Sequence, residues 1–287
     1  MKETIGKYLS LVKFAHTIFA MPFALAGFFI AVNHTKEFNW YLLILVVLCM
    51  IFARNAAMGF NRFIDRDFDA ANKRTAVREI PAGKIKPQKA LLFVIINSVL
   101  FIITTYFLNE NKLAFYLSPL ALLVILGYSL CKRFTSLSHI VLGIGLALAP
   151  IGAYIAVCGE FALVPVLMSF MVLFWVSGFD IIYALQDIDF DKSQKLKSIP
   201  SWLGIKNSLI FSFILHLFSF ALVIIIGLSA DWGIFYWIGG GIFAALLIYQ
   251  HLIVKTNDLS RINLAFFTTN GIASLIYGLF CILDIMI

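Results

Sequence analysis

Nine stretches of this 287-residue sequence are apolar for long enough to cross a hydrocarbon core, near residues 17–33, 41–60, 90–108, 113–130, 139–157, 163–185, 208–228, 235–253 and 262–283. Inside a bilayer there is no water to bond the backbone polar groups, so segments of this length fold as helices. The expectation is an all-α polytopic membrane protein with nine transmembrane helices around a central cavity, forming one domain over residues 1–287. A content of 62% hydrophobic and 13% charged residues lies well outside the soluble range. The first run follows Lys2, Lys7 and Lys13, as the apolar core of a signal peptide would. Its length and the spans that follow favour a retained first helix. The four cysteines, Cys49, Cys131, Cys158 and Cys281, have no paired spacing, so neither a disulfide framework nor a zinc site is expected.

The net charge of +7 gains meaning once the basic residues are placed relative to the bilayer. With a cytoplasmic N-terminus, 19 of the 22 Lys and Arg residues fall on the cytoplasmic side, Lys36 and Lys112 fall outside, and Arg54 lies within a span. Positive charge concentrated on one side sets orientation. The protein is therefore expected in the cytoplasmic membrane with its N-terminus inside and its C-terminus outside. The bilayer, and not nucleic acid, accounts for the basic charge. The outer connections are short, whereas two cytoplasmic loops, about 62–89 and 186–207, are long. Long loops in a compact protein tend to carry function.

The first of these loops begins Asn61-Arg62-Phe63-Ile64-Asp65-Arg66-Asp67-Phe68-Asp69. Asn61, Asp65 and Asp69 recur every four residues, which sets them along one helical stripe. The second begins Asp187-Ile188-Asp189-Phe190-Asp191. Both regions pair an acidic span end with a basic stretch and then Ile-Pro, at Ile80-Pro81 and Ile199-Pro200, which reads as a weak parallel internal repeat. Aligning Asn61 with Asp187 also aligns Asp65 with Asp191, and Arg54 with Asp180. The two acidic stripes are expected to face each other across the cavity.

Carboxylates beside a span are costly without a cation or a basic partner. Mg²⁺ prefers oxygen ligands and commonly bridges one or two carboxylates to substrate phosphates. Lys73, Arg74, Arg78, Lys132, Arg133 and Lys192 lie near enough in sequence to donate to phosphate oxygens. The combination describes a Mg²⁺-assisted diphosphate site. Its bland rival is a set of surface ion pairs, which contribute little energetically. Asp67 and Asp189 fall off the stripes and are expected in solvent or on a local arginine. Arg54 and Asp180, deeper in their spans, each need a partner, and a mutual ion pair competes with a catalytic role. Gly143, Gly145, Gly239, Gly240 and Gly241 are expected to let helices approach closely, and Pro119 and Pro150 to kink spans.

Asn61-Xaa3-Asp65-Xaa3-Asp69, Arg74-Thr75-Ala76-Xaa-Arg78-Xaa2-Pro81-Xaa-Gly83, Tyr128-Ser129-Xaa2-Lys132-Arg133 and Asp187-Xaa3-Asp191 together resemble the UbiA superfamily of intramembrane aromatic prenyltransferases. Within it the chain is similar to the 4-hydroxybenzoate polyprenyltransferase-like branch, which includes members attributed to the futalosine route to menaquinone. The resemblance implies that Asn61, Asp65, Asp69, Asp187 and Asp191 hold Mg²⁺ on an isoprenyl diphosphate. It implies that Arg74, Arg78, Lys132 and Arg133, with Tyr128 and Ser129, touch the diphosphate, while the isoprenoid tail lies in an apolar tunnel. Lys13 falls where the family often has an arginine near the acceptor's carboxylate. It and His16, three residues on, are candidate acceptor contacts, along with Arg54 and Asp180. Snorkelling to headgroups is the plain alternative for Lys13, and packing is the plain alternative for His16. The implied reaction is alkylation of an aromatic ring by an allylic cation, in ubiquinone or menaquinone biosynthesis. Relatives acting on heme, chlorophyllide or glyceryl phosphate share the metal motifs. A cation-coupled transporter and a structural membrane subunit are the rivals from other classes.

The charge partition fixes a topology that labelling tests. In intact cells, Lys84→Cys and Lys195→Cys are expected to resist an impermeant thiol reagent and to react only after permeabilisation. Labelling from outside would reverse the orientation.

Overall fold

The computed structural model describes residues 2–12 and 19–287. Helices run Lys2–Leu11 (α1), Met21–Thr35 (α2), Trp40–Ile64 (α3), Arg66–Ala71 (α4), Pro87–Tyr106 (α5), Leu113–Cys131 (α6), Ser138–Cys158 (α7), Leu163–Ala184 (α8), Ile188–Ser193 (α9), Ile199–Ser229 (α10), Ile234–Ile253 (α11) and Asn270–Met286 (α12). A π-helical turn, Leu264–Thr269, leads into α12. Eight of the described helical segments are long and apolar enough to cross a membrane, and the 15-residue α2 adds a shorter apolar helix. The protein is thus an all-helical polytopic membrane protein, in agreement with the hydropathy pattern.

The boundaries differ from the sequence expectation in two places, each for a local reason. Of the first span, expected over 17–33, residues 17 and 18 lie outside the described residues, and after Phe19 and Ala20 regular helix runs from Met21, with Pro22 in its first turn. Proline lacks the N–H that a first turn leaves unbonded, so it suits that position. The second long loop, expected over 186–207, is mostly helical. A 3₁₀ turn at Leu185–Asp187 and α9 fill its first part, and α10 begins at Ile199. Ser198 and Ser201 start α10 by reciprocal capping: Ser198 Oγ accepts from the Ser201 N–H at 3.2 Å, and Ser201 Oγ accepts from the Ser198 N–H at 2.9 Å. The regular backbone is then interrupted once, at Gly204 with φ +75°.

The core centres on α8, which packs against α7 and α10. Met168, Met171, Val172, Trp175 and Val176 are fully buried there, with Phe23, Phe243 and Tyr277 in the same cluster. Apolar residues such as Leu92 on α5, Leu123 on α6 and Leu217 on α10 are exposed, as suits a surface that faces lipid. Of the five glycines expected at close approaches, Gly143, Gly239 and Gly240 abut Leu173, Phe280 and Val223, whereas Gly145 and Gly241 have room for a side chain. Pro119 and Pro150 lie inside α6 and α7.

On the side where α3 ends, α1 braces the segment after α4. Leu11 is buried with Ile80, Ile85 and Ala90, Tyr8 packs on Phe93 at 5.0 Å between ring centroids, and Ser10 hydrogen-bonds Glu79. These contacts hold the connection from Asn72 to Lys86 over the end of the bundle.

The tightest helix approach gives a stability test. A Cβ on Gly27 would collide with the carbonyl oxygen of Pro150, a rigid backbone atom. Gly27→Ala is expected to destabilise the detergent-solubilised protein by about 1–3 kcal/mol, read as a lowered thermal midpoint. Gly241→Ala, with nothing within 4 Å, is expected to leave the midpoint unchanged or raised.

Candidate active site

A cavity of about 770 Å³ opens through the middle of the bundle, walled by α3, α6, α7 and α8. Along α3 its lining runs from Val46 to Arg62 and on to Asp65, a depth of roughly 28 Å at the helical rise, close to a full hydrocarbon core. The two ends differ in chemistry. Asn61, Asp65, Asp69, Arg74, Arg78, Lys132, Asp187 and Asp191 line one end, whereas Val46, Leu117, Ala121, Leu146 and Ala149 line the deeper wall.

The polar end is built by the same device twice. Helix α3 stops at Asp65, whose backbone (φ −91°, ψ 7°) departs from the helix before the six-residue α4 begins. Helix α8 passes through a 3₁₀ turn to Asp187 (φ −107°, ψ 6°) before the six-residue α9. In both cases the aspartate four residues later turns inward: Asp69 is 6% and Asp191 2% exposed. The intervening Asp67 and Asp189 are exposed, as expected from their register. The structural repeat therefore pairs Asp65 with Asp187 and Asp69 with Asp191. This corrects the alignment of Asn61 with Asp187 by four residues, and the shared pattern Asp-Xaa-Asp-Phe-Asp at 65–69 and 187–191 is the sequence signal for the correct register.

Three of the four aspartates of this repeat are held by arginines. Arg74 makes a bidentate contact with Asp187, Nη2 to Oδ2 at 2.6 Å and Nε to Oδ1 at 3.1 Å. It also donates to the Tyr183 hydroxyl at 3.3 Å. Arg78 Nη1 reaches Asp69 Oδ1 at 2.5 Å. Arg133 Nη2 meets Asp65 Oδ1 at 3.0 Å and also bonds the Ile64 carbonyl, while Nη1 donates to the Ser129 carbonyl. Asn61 donates to Asp65 Oδ2 at 3.0 Å, and Asn72 to Asp187 Oδ1 at 3.3 Å. Burial pushes the Asp65 carboxyl above its ordinary value, against the opposing pull of Arg133.

The expected site residues divide accordingly. Asn61, Asp65, Asp69, Arg74, Arg78, Tyr128, Ser129, Lys132, Asp187 and Asp191 line one cavity, as do the deeper Arg54 and Asp180. Arg133 joins them through Asp65. Lys73 and Lys192 are exposed and do not line the cavity. Asp180 does not pair with Arg54: its partner is His139, with Nδ1 2.7 Å from Oδ2. Lys13 and His16 lie outside the described residues. Arg62 was not anticipated. It is 5% exposed on α3, lines the cavity, and its Nε has no hydrogen-bond acceptor among the described residues. An arginine adjoining the Asn61 stripe within a span was the available signal.

The donor set suits a hard divalent cation. Asp69 Oδ2 and Asp191 Oδ2 are buried without a hydrogen-bond partner among the described residues, a costly state that a cation would relieve. No three acidic, histidine or cysteine side chains among the described residues form a ready-made cage. Mg²⁺ does not need one, since it keeps several waters and is usually completed by substrate phosphates.

Known proteins share this architecture. The sequence pattern of the UbiA prenyltransferase family matches residues 20–272. A 4-hydroxybenzoate octaprenyltransferase of Photobacterium profundum is 32% identical over 244 residues, spanning 83% of this chain and 82% of the relative. The apo structure of a UbiA homolog from Aeropyrum pernix K1 superposes with a TM-score of 0.84 at 31% identity, covering 95% of this chain and 98% of that one. A UbiA homolog from Archaeoglobus fulgidus, bound to GPP and Mg²⁺, superposes with a TM-score of 0.77 at 22% identity, covering 98% and 100%. The last likeness concerns the fold.

Proposed function

The chain belongs to the UbiA prenyltransferase family, and from that premise we propose that it transfers an isoprenyl group from its diphosphate to an aromatic acceptor of the 4-hydroxybenzoate kind, as a step in quinone biosynthesis. The observation that carries this reading is a single cavity that joins paired carboxylates and arginines at one end to a long apolar wall. The donor carries the same two chemistries, a diphosphate head and a hydrocarbon tail.

In this reading Asp69 and Asp191, with Asn61, Asp65 and Asp187, hold Mg²⁺ against the diphosphate. The ion supplies Lewis-acid neutralisation of the leaving group. Arg74, Arg78 and Arg133 exchange their carboxylate partners for phosphate oxygens, where their planar forks make bidentate bonds. Lys132 and the buried Arg62 add positive charge at the same end. As the allylic carbon–oxygen bond breaks, the diphosphate leaves with the bonding pair. The rings of Phe19, Phe179, Tyr183 and Phe266 line the cavity beside that end, and Tyr183 stacks on Phe266 at 4.0 Å. Aromatic faces stabilise a cation without offering it a nucleophile. Water would trap the cation, and the apolar wall and the segment braced by α1 keep it out.

A carboxylate on the acceptor would be met by Arg54, or by Lys13 and His16. The active site faces the cytoplasm, in keeping with the excess of basic residues around both acidic motifs. A cation-coupled transporter would place its carboxylates near mid-bilayer, whereas Asp65 and Asp187 stand at the ends of α3 and α8. Acceptors such as heme, chlorophyllide or glyceryl phosphate would use the same diphosphate end, so acceptor choice rests on assay.

The purified protein in lipid, given prenyl diphosphates, Mg²⁺ and a panel of acceptors, is expected to prenylate hydroxylated aromatic acids, identified by product mass. Efficient prenylation of heme or a glyceryl acceptor alone would overturn the aromatic assignment. Asp69→Asn and Asp191→Asn are each expected to lower Mg²⁺-dependent turnover by roughly a hundredfold or more. Asp67→Asn, whose side chain is 84% exposed, is expected to change it little. Equal loss in all three variants would show that general loop charge matters and the inward register does not.

A further inference from the structure

Prenylation of an aromatic ring ends with loss of a ring proton, and none of the groups placed above accepts it. On the prenyl-transfer reading, we propose that Asp180 is the base that takes this proton and that His139 positions it. Asp180 lies on α8 seven residues before Asp187, which sets it on the same helical face about 10 Å deeper. It lines the same cavity. That is the side of the allylic carbon away from the diphosphate, where the acceptor ring must stand to attack.

The state of the pair follows from its hydrogen bonds. A carboxylate only accepts, so the 2.7 Å contact requires that His139 Nδ1 carry a proton and donate it to Asp180 Oδ2. The opposite nitrogen, Nε2, is buried without a partner among the described residues. His139 is 1% exposed and fixed in the first turns of α7, whereas the Asp180 side chain keeps 19% of its surface open. The open carboxylate is therefore the member of the pair that reaches a ligand. Asp65, Asp69 and Asp187 are each held by a guanidinium. Asp180 is held instead through a single imidazole N–H, which orients the carboxylate and leaves its other oxygen free to face the cavity.

The step balances. A pair of ring π electrons forms the new carbon–carbon bond to the allylic carbon, and the ring carbon then carries both the prenyl group and a hydrogen. Asp180 accepts that hydrogen as a proton, the carbon–hydrogen bonding pair returns to the ring, and aromaticity is restored. The carboxylic acid gives its proton to water as the product leaves.

The test uses the full-length enzyme in lipid and an acceptor deuterated at the ring position that is substituted. The parent is expected to turn over protiated and deuterated acceptor equally, because ionisation of the donor precedes proton loss and limits the rate. Asp180→Asn is expected to lower kcat by roughly a hundredfold or more and to expose a primary isotope effect, with the acceptor KM little changed. His139→Ala is expected to lower kcat by a smaller factor, and His139→Asn to recover part of the loss because its amide N–H replaces the donor. Where Asp180→Asn does not accumulate folded, Asp180→Glu and His139→Asn carry the same isotope-effect test. Parent-like kcat in Asp180→Asn, or a lowered kcat without an isotope effect, would overturn the assignment. A parent enzyme that prenylates no aromatic acceptor would instead overturn the reading on which it rests.

Discussion

Ionised carboxylates can be kept at the edge of a bilayer only if something compensates the lost water, and in this protein arginine does so. Five aspartates line one internal cavity, Asp65, Asp69, Asp180, Asp187 and Asp191. Three are held by Arg133, Arg78 and Arg74, one by His139, and Asp191 retains a buried oxygen without a partner among the described residues. Removing one member of such a pair strands a charge in a poorly solvated place, which is why the pairs hold the polar end together as well as serve it. On the proposed reading the same pairs would prepare the site for its ligand: a divalent cation would take the carboxylates and a diphosphate the arginines, so each charge would change partner without being left bare.

The backbone explains why the aspartates arrive where they do. A single uninterrupted helix through residues 40–71 would continue its axis out of the bundle. The break at Asp65 lets the short α4 turn, and the break at Asp187 does the same for α9. Two six-residue helices thereby bring Asp69 and Asp191 under cover, while Asp67 and Asp189 remain in solvent. The brace of α1 against Ile80, Ile85 and Glu79 then holds the connecting segment above them. Below, the cavity wall turns apolar.

Much of this was legible in the sequence because the bilayer imposes simple rules. Apolar run length located the helices, and carboxylates beside spans marked the polar end. The details that escaped are those that depend on backbone breaks and on packing between distant helices. A repeat of four residues suggested one continuous stripe over Asn61, Asp65 and Asp69, yet the helix ends inside that stripe. The register of the repeat was misjudged because Asn61 and Asp187 look alike at the end of a span, whereas the Asp-Xaa-Asp-Phe-Asp pattern matches residue for residue. The partner of Asp180 was hidden for another reason: His139 is 41 positions away, and only the packing of α7 on α8 brings them together.

Exchange of partners at the polar end is the central claim, and calorimetry with an unreactive thio-linked prenyl diphosphate measures it most directly. Binding to the protein in lipid nanodiscs is expected to require Mg²⁺, weakening by a factor of ten or more, about 1.4 kcal/mol, when the ion is chelated, and to lose its Mg²⁺ dependence in Asp191→Asn. Equally tight binding in the presence and absence of Mg²⁺ would show that the arginines hold the diphosphate alone and would contradict the account.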